Sequence, residues 1–133
     1  MVELAVNTRT GMVRVTRVVC SHDVGIIINP DGIRAQLEGN VVHGISRSLM
    51  EEVRLDRRSS ASKDWESYSV MRFTDLPEIK FALINRTSQP PKGVGENLMT
   101  AIPAAVANAI FDATGVRMRR LPFTPARVKA ALR

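Results

Sequence analysis

The pattern that most constrains the fold is a regular apolar stripe that follows an asparagine–proline pair. Asn29 is a favourable helix N-cap, and Pro30 suits the first turn of a helix. A large aliphatic residue then recurs at every fourth position, at Ile33, Leu37, Val41, Ile45 and Leu49. This spacing keeps the side chains on one face, so it predicts a helix from Pro30 to Leu49 that packs against a core.

The same predicted helix carries a polar stripe beside the apolar one. At helical spacing this stripe consists of Gln36, Asn40, His43 and Arg47. Gly39 and Gly44 also lie inside the helix, where each glycine costs about 1 kcal/mol relative to alanine. We therefore expect another group to approach this part of the helix backbone closely.

The remaining patterns predict a small sheet and two further helices. Strands are predicted at 2–7, 12–20, 53–55, 68–73 and 79–85, the first two as a hairpin. Loops are predicted at 56–64, within the mostly polar segment 51–66, and at 89–96. A second helix is expected from Met99 or Thr100, with Thr100 as its cap, to Thr114, and a short C-terminal one from Thr124–Pro125. The expected fold is one α+β domain over 1–133, with a mixed or antiparallel sheet packed by two main helices.

Composition restricts the possible partners and compartments. The chain has 19 Lys and Arg against 13 Asp and Glu, but aromatic residues make up only 5% and no nucleic-acid-binding module is recognisable. A solvated Arg-rich surface is therefore expected, without a nucleic-acid role. No apolar run is long enough to span a membrane, and the N-terminus lacks a secretory pattern. The expected compartment is the cytoplasm, or the periplasm if a partner carries the export signal.

Two groups of side chains are candidates for chemistry. Cys20, His22 and Asp23 lie close together in sequence, but they lack the ligand spacing of a zinc site, so no metal ligand is predicted and His22 is expected to be structural. Glu96 follows a turn-rich loop and precedes a helix, so its carboxylate is either a general base or an ordinary surface group. Gln36 either binds a ligand through its amide or faces water.

Several ordered motifs together resemble a known enzyme family. They lie at 23–31, 34–39, 68–72, 90–96, 103–111 and 121–123. In this order they resemble the C-terminal portion of the molybdopterin-binding large subunit of the xanthine dehydrogenase and aldehyde oxidase superfamily. Within that superfamily, the resemblance is to the beta subunit of isoquinoline 1-oxidoreductase-type enzymes. The fold expected from this resemblance is part of a molybdenum-binding domain.

The resemblance also implies roles for individual residues. Enzymes of this family hydroxylate a carbon of an N-heteroaromatic ring or an aldehyde, with water as the oxygen source and a glutamate as base. Glu96 matches that base, and Gln36 matches the glutamine that contacts the pyranopterin of the molybdenum cofactor. Gly39 would permit close approach of the cofactor, while Gly93 and Gly95 would shape the loop that presents the base.

The resemblance further implies that the activity needs more than this chain. A molybdopterin-type cofactor requires a pocket built from several segments, so we expect the isolated chain to be inactive and free of cofactor. The implied partners are the N-terminal portion or a separate large-subunit chain, together with an iron–sulfur small subunit. Exposed apolar surface would favour self-association. Three origins of this chain are compatible with the sequence: a separately encoded part of a split subunit, a truncated segment and the product of a degenerate gene. The alternative function is a non-catalytic scaffold that binds protein.

Overall fold

Three strands form one mixed sheet. The computed structural model describes residues 1–133. Strands β1 (Val2–Asn7) and β2 (Met12–Asp23) form an antiparallel hairpin, and β3 (Glu78–Ile84) pairs in parallel with the other side of β2. The predicted hairpin and the predicted strand near residues 79–85 are confirmed, and β2 continues three residues beyond the expected end.

The parallel pairing of β2 with β3 decides where the following loops begin. Its register runs from Arg17 opposite Glu78 to Asp23 opposite Ile84. Both strands therefore end at the same edge of the sheet. The segment after Asp23 and the segment after Ile84 leave this edge side by side, although they are far apart in sequence.

Helix α1 (Pro30–Leu49) forms as the apolar stripe predicts. The Asn29 side chain accepts a hydrogen bond from the Gly32 N–H at 2.9 Å, which caps the helix. The stripe is buried along its whole length, and Leu37 and Val41 are completely inaccessible. None of the helices in the chain is both long and apolar enough to cross a membrane.

Helix α2 (Ile102–Thr114) begins slightly later than predicted. The Thr100 hydroxyl donates to the Asn97 carbonyl at 3.0 Å instead of capping the helix, so the predicted cap is wrong. The other end is as expected, because Gly115 adopts a left-handed conformation with φ of 72° and terminates the helix. Helix α3 (Pro125–Ala131) is capped by Thr124.

The helices pack on the sheet through a main core and a smaller one. The main core takes its buried residues from β2, the three helices and the segment before α3, and partly buried side chains of β1 and β3 pack against it. Its members include Val18, Ile45, Val106, Phe123 and Val128. The smaller core comprises Val24, Ile33 and Leu37. At the crossing of α1 and α2, a Cβ placed on Gly44 would lie 2.7 Å from the Cβ of Ile102. The close approach expected for the helix glycines is thus present at Gly44, and the α+β class is confirmed.

The strands predicted at 53–55 and 68–73 are not formed. The segment between α1 and β3 is irregular, with one isolated bridge between Leu55 and Ser60 and one 3-10 turn at Phe73–Asp75. Its polar groups are satisfied locally, as where Ser67 Oγ donates to the Asp64 carboxylate at 2.7 Å. A β-strand forms only where a neighbouring strand pairs with its backbone N–H and C=O groups. The alternating side chains of these two segments do not provide such a partner. The predicted loop over 56–64 is confirmed.

Candidate functional site

A cleft of about 260 Å³ lies between helix α1 and the loop that leads to α2. Its lining consists of Ala35, Gln36, Gly39, Asn40, His43, Gly95, Glu96 and Met99. The tertiary structure therefore brings together Gln36 and Gly39 from the helix with Gly95 and Glu96 from the loop. Gly93 does not line the cleft; its carbonyl accepts a hydrogen bond from Asn97 Nδ2 at 3.0 Å, which stabilises the loop internally.

Helix α1 presents one face to this cleft. Gln36, Gly39, Asn40 and His43 follow one another along consecutive turns of that face. Apart from its two chain neighbours and the local helix backbone, no heavy atom lies within 4 Å of the position that a Cβ on Gly39 would occupy. The close approach predicted for Gly39 is therefore not made by any other part of this chain, and its backbone is open to whatever enters the cleft.

The start of the loop is anchored on the turn that follows β2. Asp23 Oδ1 accepts a hydrogen bond from the Gly25 N–H at 3.0 Å, and Gly25 takes a φ of 75°. The Lys92 N–H donates to the Val24 carbonyl at 2.8 Å. A Cβ on Gly25 would collide with the Pro90 carbonyl oxygen. The Asp-Val-Gly motif thus serves as the support on which the proline-rich part of the loop rests.

The end of the loop is anchored by Asn40. This side chain is 5% exposed, and its Nδ2 donates to the Gly95 carbonyl at 2.7 Å and to the Gln36 carbonyl at 2.6 Å. Its Oδ1 accepts from the Met99 N–H at 3.1 Å, and the same N–H also donates to the Glu96 carbonyl at 3.2 Å. The sequence places Asn40 on the polar stripe but contains no direct sign of this role. The sequence feature that could have indicated this role is the position of the short amide side chain, directly after Gly39 and one helical turn after Gln36.

Glu96 is exposed and unpaired. Its carboxylate accepts no hydrogen bond and forms no ion pair within the chain. His43 is likewise exposed, whereas Arg47, one turn further, donates from Nη1 to Met99 Sδ at 3.2 Å. The arrangement offers a free carboxylate on an anchored loop, opposite an exposed amide and an open stretch of backbone. Such a group can take a proton from a molecule bound in the cleft.

The other candidate cluster has different surroundings. Cys20 is buried, and burial raises the pKa of its thiol. Asp23 forms an ion pair with Arg86 at 2.6 Å. His22 has a buried Nε2 that finds no hydrogen-bond partner in the chain. No three His, Cys, Asp or Glu side chains are grouped so that they could hold a metal ion.

Comparison with known proteins identifies relatives over nearly the whole chain. One subunit of nicotinate dehydrogenase from Pseudomonas putida is 48% identical over 130 residues, which are 98% of this chain and 11% of that protein. The beta subunit of isoquinoline 1-oxidoreductase from Brevundimonas diminuta is 34% identical over 93% of this chain and 16% of that protein. The chain therefore spans only a small part of the length of these relatives.

The fold agrees with this similarity. The crystal structure of quinoline 2-oxidoreductase from Pseudomonas putida 86 superposes with a TM-score of 0.89 and 28% identity, over 97% of this chain and 17% of that one. The family model described as the molybdopterin cofactor-binding domain matches residues 1–77. The chain therefore belongs to the molybdopterin cofactor-binding domain family, among the molybdenum-binding subunits of xanthine dehydrogenase and aldehyde oxidase type.

Proposed function

We propose that this chain is the C-terminal part of the molybdenum-binding subunit of a molybdenum hydroxylase, with Glu96 as its general base. The enzyme would introduce water-derived oxygen at a carbon of an N-heteroaromatic ring or of an aldehyde. The observation that carries the proposal is the cleft in which Glu96, Gln36 and Gly39 meet. The names of the nicotinate, isoquinoline and quinoline relatives support a ring substrate.

The residues of the cleft fit a molybdopterin cofactor. The open backbone at Gly39 leaves room for a group that a larger residue would exclude. The exposed amide of Gln36 can both donate and accept hydrogen bonds toward a pterin. When bound, the cofactor would supply the redox centre at which oxygen is transferred and electrons are accepted. Gln36 and Gly39 would hold it.

Glu96 would supply the proton-transfer step. A general base must lie within hydrogen-bond reach of the proton it removes, and such a group typically contributes a factor of about 10² to 10⁴ in rate. The carboxylate is free of internal partners, while the loop is anchored at Gly95 before it and at Met99 after it. The proton would therefore move to a carboxylate oxygen that accepts no hydrogen bond from any other group in the chain.

The rest of the protein would complete the site. A cleft of about 260 Å³ is smaller than the roughly 300–1,000 Å³ of enclosed ligand pockets, and only two segments line it. Apolar side chains elsewhere are also strongly exposed, with Leu55 at 76%, Trp65 at 80% and Phe73 at 89%. We infer that the remainder of the large subunit closes the cleft and covers these residues, and that an iron–sulfur subunit receives the electrons. Alone, the chain would be inactive and prone to self-association.

Substitution of the base tests this proposal. The chain carrying Glu96→Gln is assembled with the remaining subunits and assayed with nicotinate as the first substrate. Turnover should fall by about 10² to 10⁴ while the molybdenum content and the assembly of the complex stay unchanged. Glu66→Gln, a substitution of an exposed loop residue, is the matched control and should retain turnover. Undiminished turnover in Glu96→Gln would refute the role of Glu96.

The exposed apolar residues favour one alternative, a scaffold domain that binds protein without chemistry. Molybdenum content separates the two functions. The tagged chain is recovered from its native host under non-denaturing conditions. Stoichiometric molybdenum with larger co-purifying chains supports the hydroxylase, whereas a partner without molybdenum supports the scaffold.

A further inference from the structure

We propose that Asn40 is a positioning residue for the base. Its buried side-chain amide fixes the loop segment that carries Glu96 against the turn of α1 that carries Gln36. This inference rests on the proposed function of Glu96, because a loop that carries no base needs no such alignment. Nothing in the resemblance assigns a role to Asn40.

The contacts of Asn40 enclose the base on both sides. Its Nδ2 holds the carbonyl of Gly95, which directly precedes Glu96, and its Oδ1 holds the N–H of Met99, three residues after it. The second Nδ2 hydrogen is bonded to the Gln36 carbonyl at 2.6 Å. One side chain thus links the backbone of the cofactor-facing turn to both ends of the segment that carries the base.

The bonding pattern requires an amide. Both N–H donors are used, and the carbonyl oxygen accepts, so the amide cannot be turned over without losing all three bonds. An aspartate of the same shape would lose both donors and place a carboxylate against two carbonyl oxygens. Because Asn40 is 5% exposed, water cannot freely replace these bonds in an alanine variant.

The residues around Asn40 distinguish its positioning role from a contribution to apolar packing. The neighbouring residues Leu37 and Val41 are fully buried and supply the apolar contacts of this part of α1. Asn40 belongs to neither apolar core. Its loss should therefore loosen the loop locally, while α2 stays protected by Val106 and Ile110 in the main core.

Amide hydrogen exchange on the 133-residue chain tests the local effect. In Asn40→Ala and Asn40→Asp, the Met99 N–H keeps only its 3.2 Å bond to the Glu96 carbonyl, which lies in the same loop. It should therefore exchange roughly tenfold faster or more, as expected for a lost hydrogen bond to a buried group. The amides of Val106 and Ile110 should be unchanged. Asn108→Ala is the matched control, because Asn108 is exposed and its side chain accepts only from Arg117 at 2.6 Å.

Two results would overturn the local effect. One is unchanged Met99 exchange in both Asn40 variants, which would mean that Asn40 does not hold the loop. The other is an equal rise at Met99, Val106 and Ile110, which would mean that Asn40 only supports global stability. Asn40→Ser retains one donor and one acceptor, so it should give intermediate Met99 exchange if the larger changes prevent folding.

A double-mutant cycle in the assembled enzyme tests the link to the base. With nicotinate as substrate, Asn40→Ala should lower kcat by roughly tenfold or more at unchanged molybdenum content, and Asn40→Ser should restore part of it. In the Glu96→Gln background, Asn40→Ala should have no further effect on kcat, because it acts through Glu96. Additive losses, or full kcat despite a looser loop, would refute the positioning role. Retained turnover in Glu96→Gln alone would instead refute the proposed base.

Discussion

Helix α1 contains two interior glycines whose surroundings differ. Replacing each of them by alanine separates the effect of helix propensity on the free energy of unfolding from the effect of packing between α1 and α2. At Gly39 an added Cβ meets no heavy atom within 4 Å other than those of its chain neighbours and the local helix backbone. At Gly44 it would lie 2.7 Å from the Cβ of Ile102 and 3.0 Å from both of its Cγ atoms. Carbon atoms in contact prefer about 3.5–4.0 Å, so α1 and α2 would have to separate by roughly 1 Å.

The two substitutions share one free-energy contribution and differ in another. Replacing a helix-interior glycine by alanine stabilises the folded chain by about 1 kcal/mol. Gly39→Ala should show this gain alone. Gly44→Ala adds a packing strain of about 1–3 kcal/mol, which leaves a net loss of about 0–2 kcal/mol. Because the propensity gain is common to both variants, their unfolding free energies should differ by about 1–3 kcal/mol.

Thermal unfolding of the 133-residue chain, followed by circular dichroism, measures this difference. At roughly 4 °C per kcal/mol for a domain of this size, Gly39→Ala should melt about 4–12 °C above Gly44→Ala and about 4 °C above the unsubstituted chain. Equal melting temperatures for the two variants would refute the inferred close contact between the helices. A gain at Gly39 would also mean that this glycine reduces helix stability, as expected where a bound group approaches the backbone.

Two further predictions concern the supports of the loop and of the C-terminal helix. Gly25→Ala should destabilise the chain by more than about 1 kcal/mol in urea unfolding, because Gly25 has a φ of 75° and its Cβ would collide with Pro90; a neutral effect would contradict this. Arg127 donates to Glu52 at 2.6 Å and thereby holds the pKa of that carboxyl below its usual range. The stability that this ion pair adds is present above the pKa of Glu52 in the unfolded chain, and it is lost as the pH falls through the lower pKa of the folded chain. The difference in melting temperature between the unsubstituted chain and Glu52→Gln should therefore shrink below about pH 4. A difference that stays constant down to pH 3 would refute it.

Local structure was predictable where its causes are local. Asn29 and Pro30 start α1, and the stripe that ends at Leu49 defines its buried face. Gly115 ends α2 because it adopts a left-handed conformation that few other residues reach easily. Capping, turn formation and helical periodicity depend on residues within a few positions of one another, so they can be read from the chain itself.

Predictions that depended on distant partners were less successful. Residues 68–73 have the composition of a strand but no strand beside them, and the Met71 N–H donates instead to Ser46 Oγ at 2.9 Å. Here the tertiary structure provided a different partner from the one that the local pattern suggested. The predicted Thr100 cap failed for a local reason instead, because its hydroxyl donates to the Asn97 carbonyl three residues earlier.

The sequence by itself determined the family of this chain, its main helix and the residues most worth testing, Glu96 and Gln36. Only the tertiary structure decided that these two residues share a cleft, and that Asn40 bonds both the Gln36 carbonyl and the Gly95 carbonyl next to Glu96. The physical reason is the parallel pairing of β2 with β3, which makes both strands end at one edge of the sheet. The turn at Gly25 then holds the second loop beside the start of α1, an arrangement set by contacts between segments that are remote in the chain.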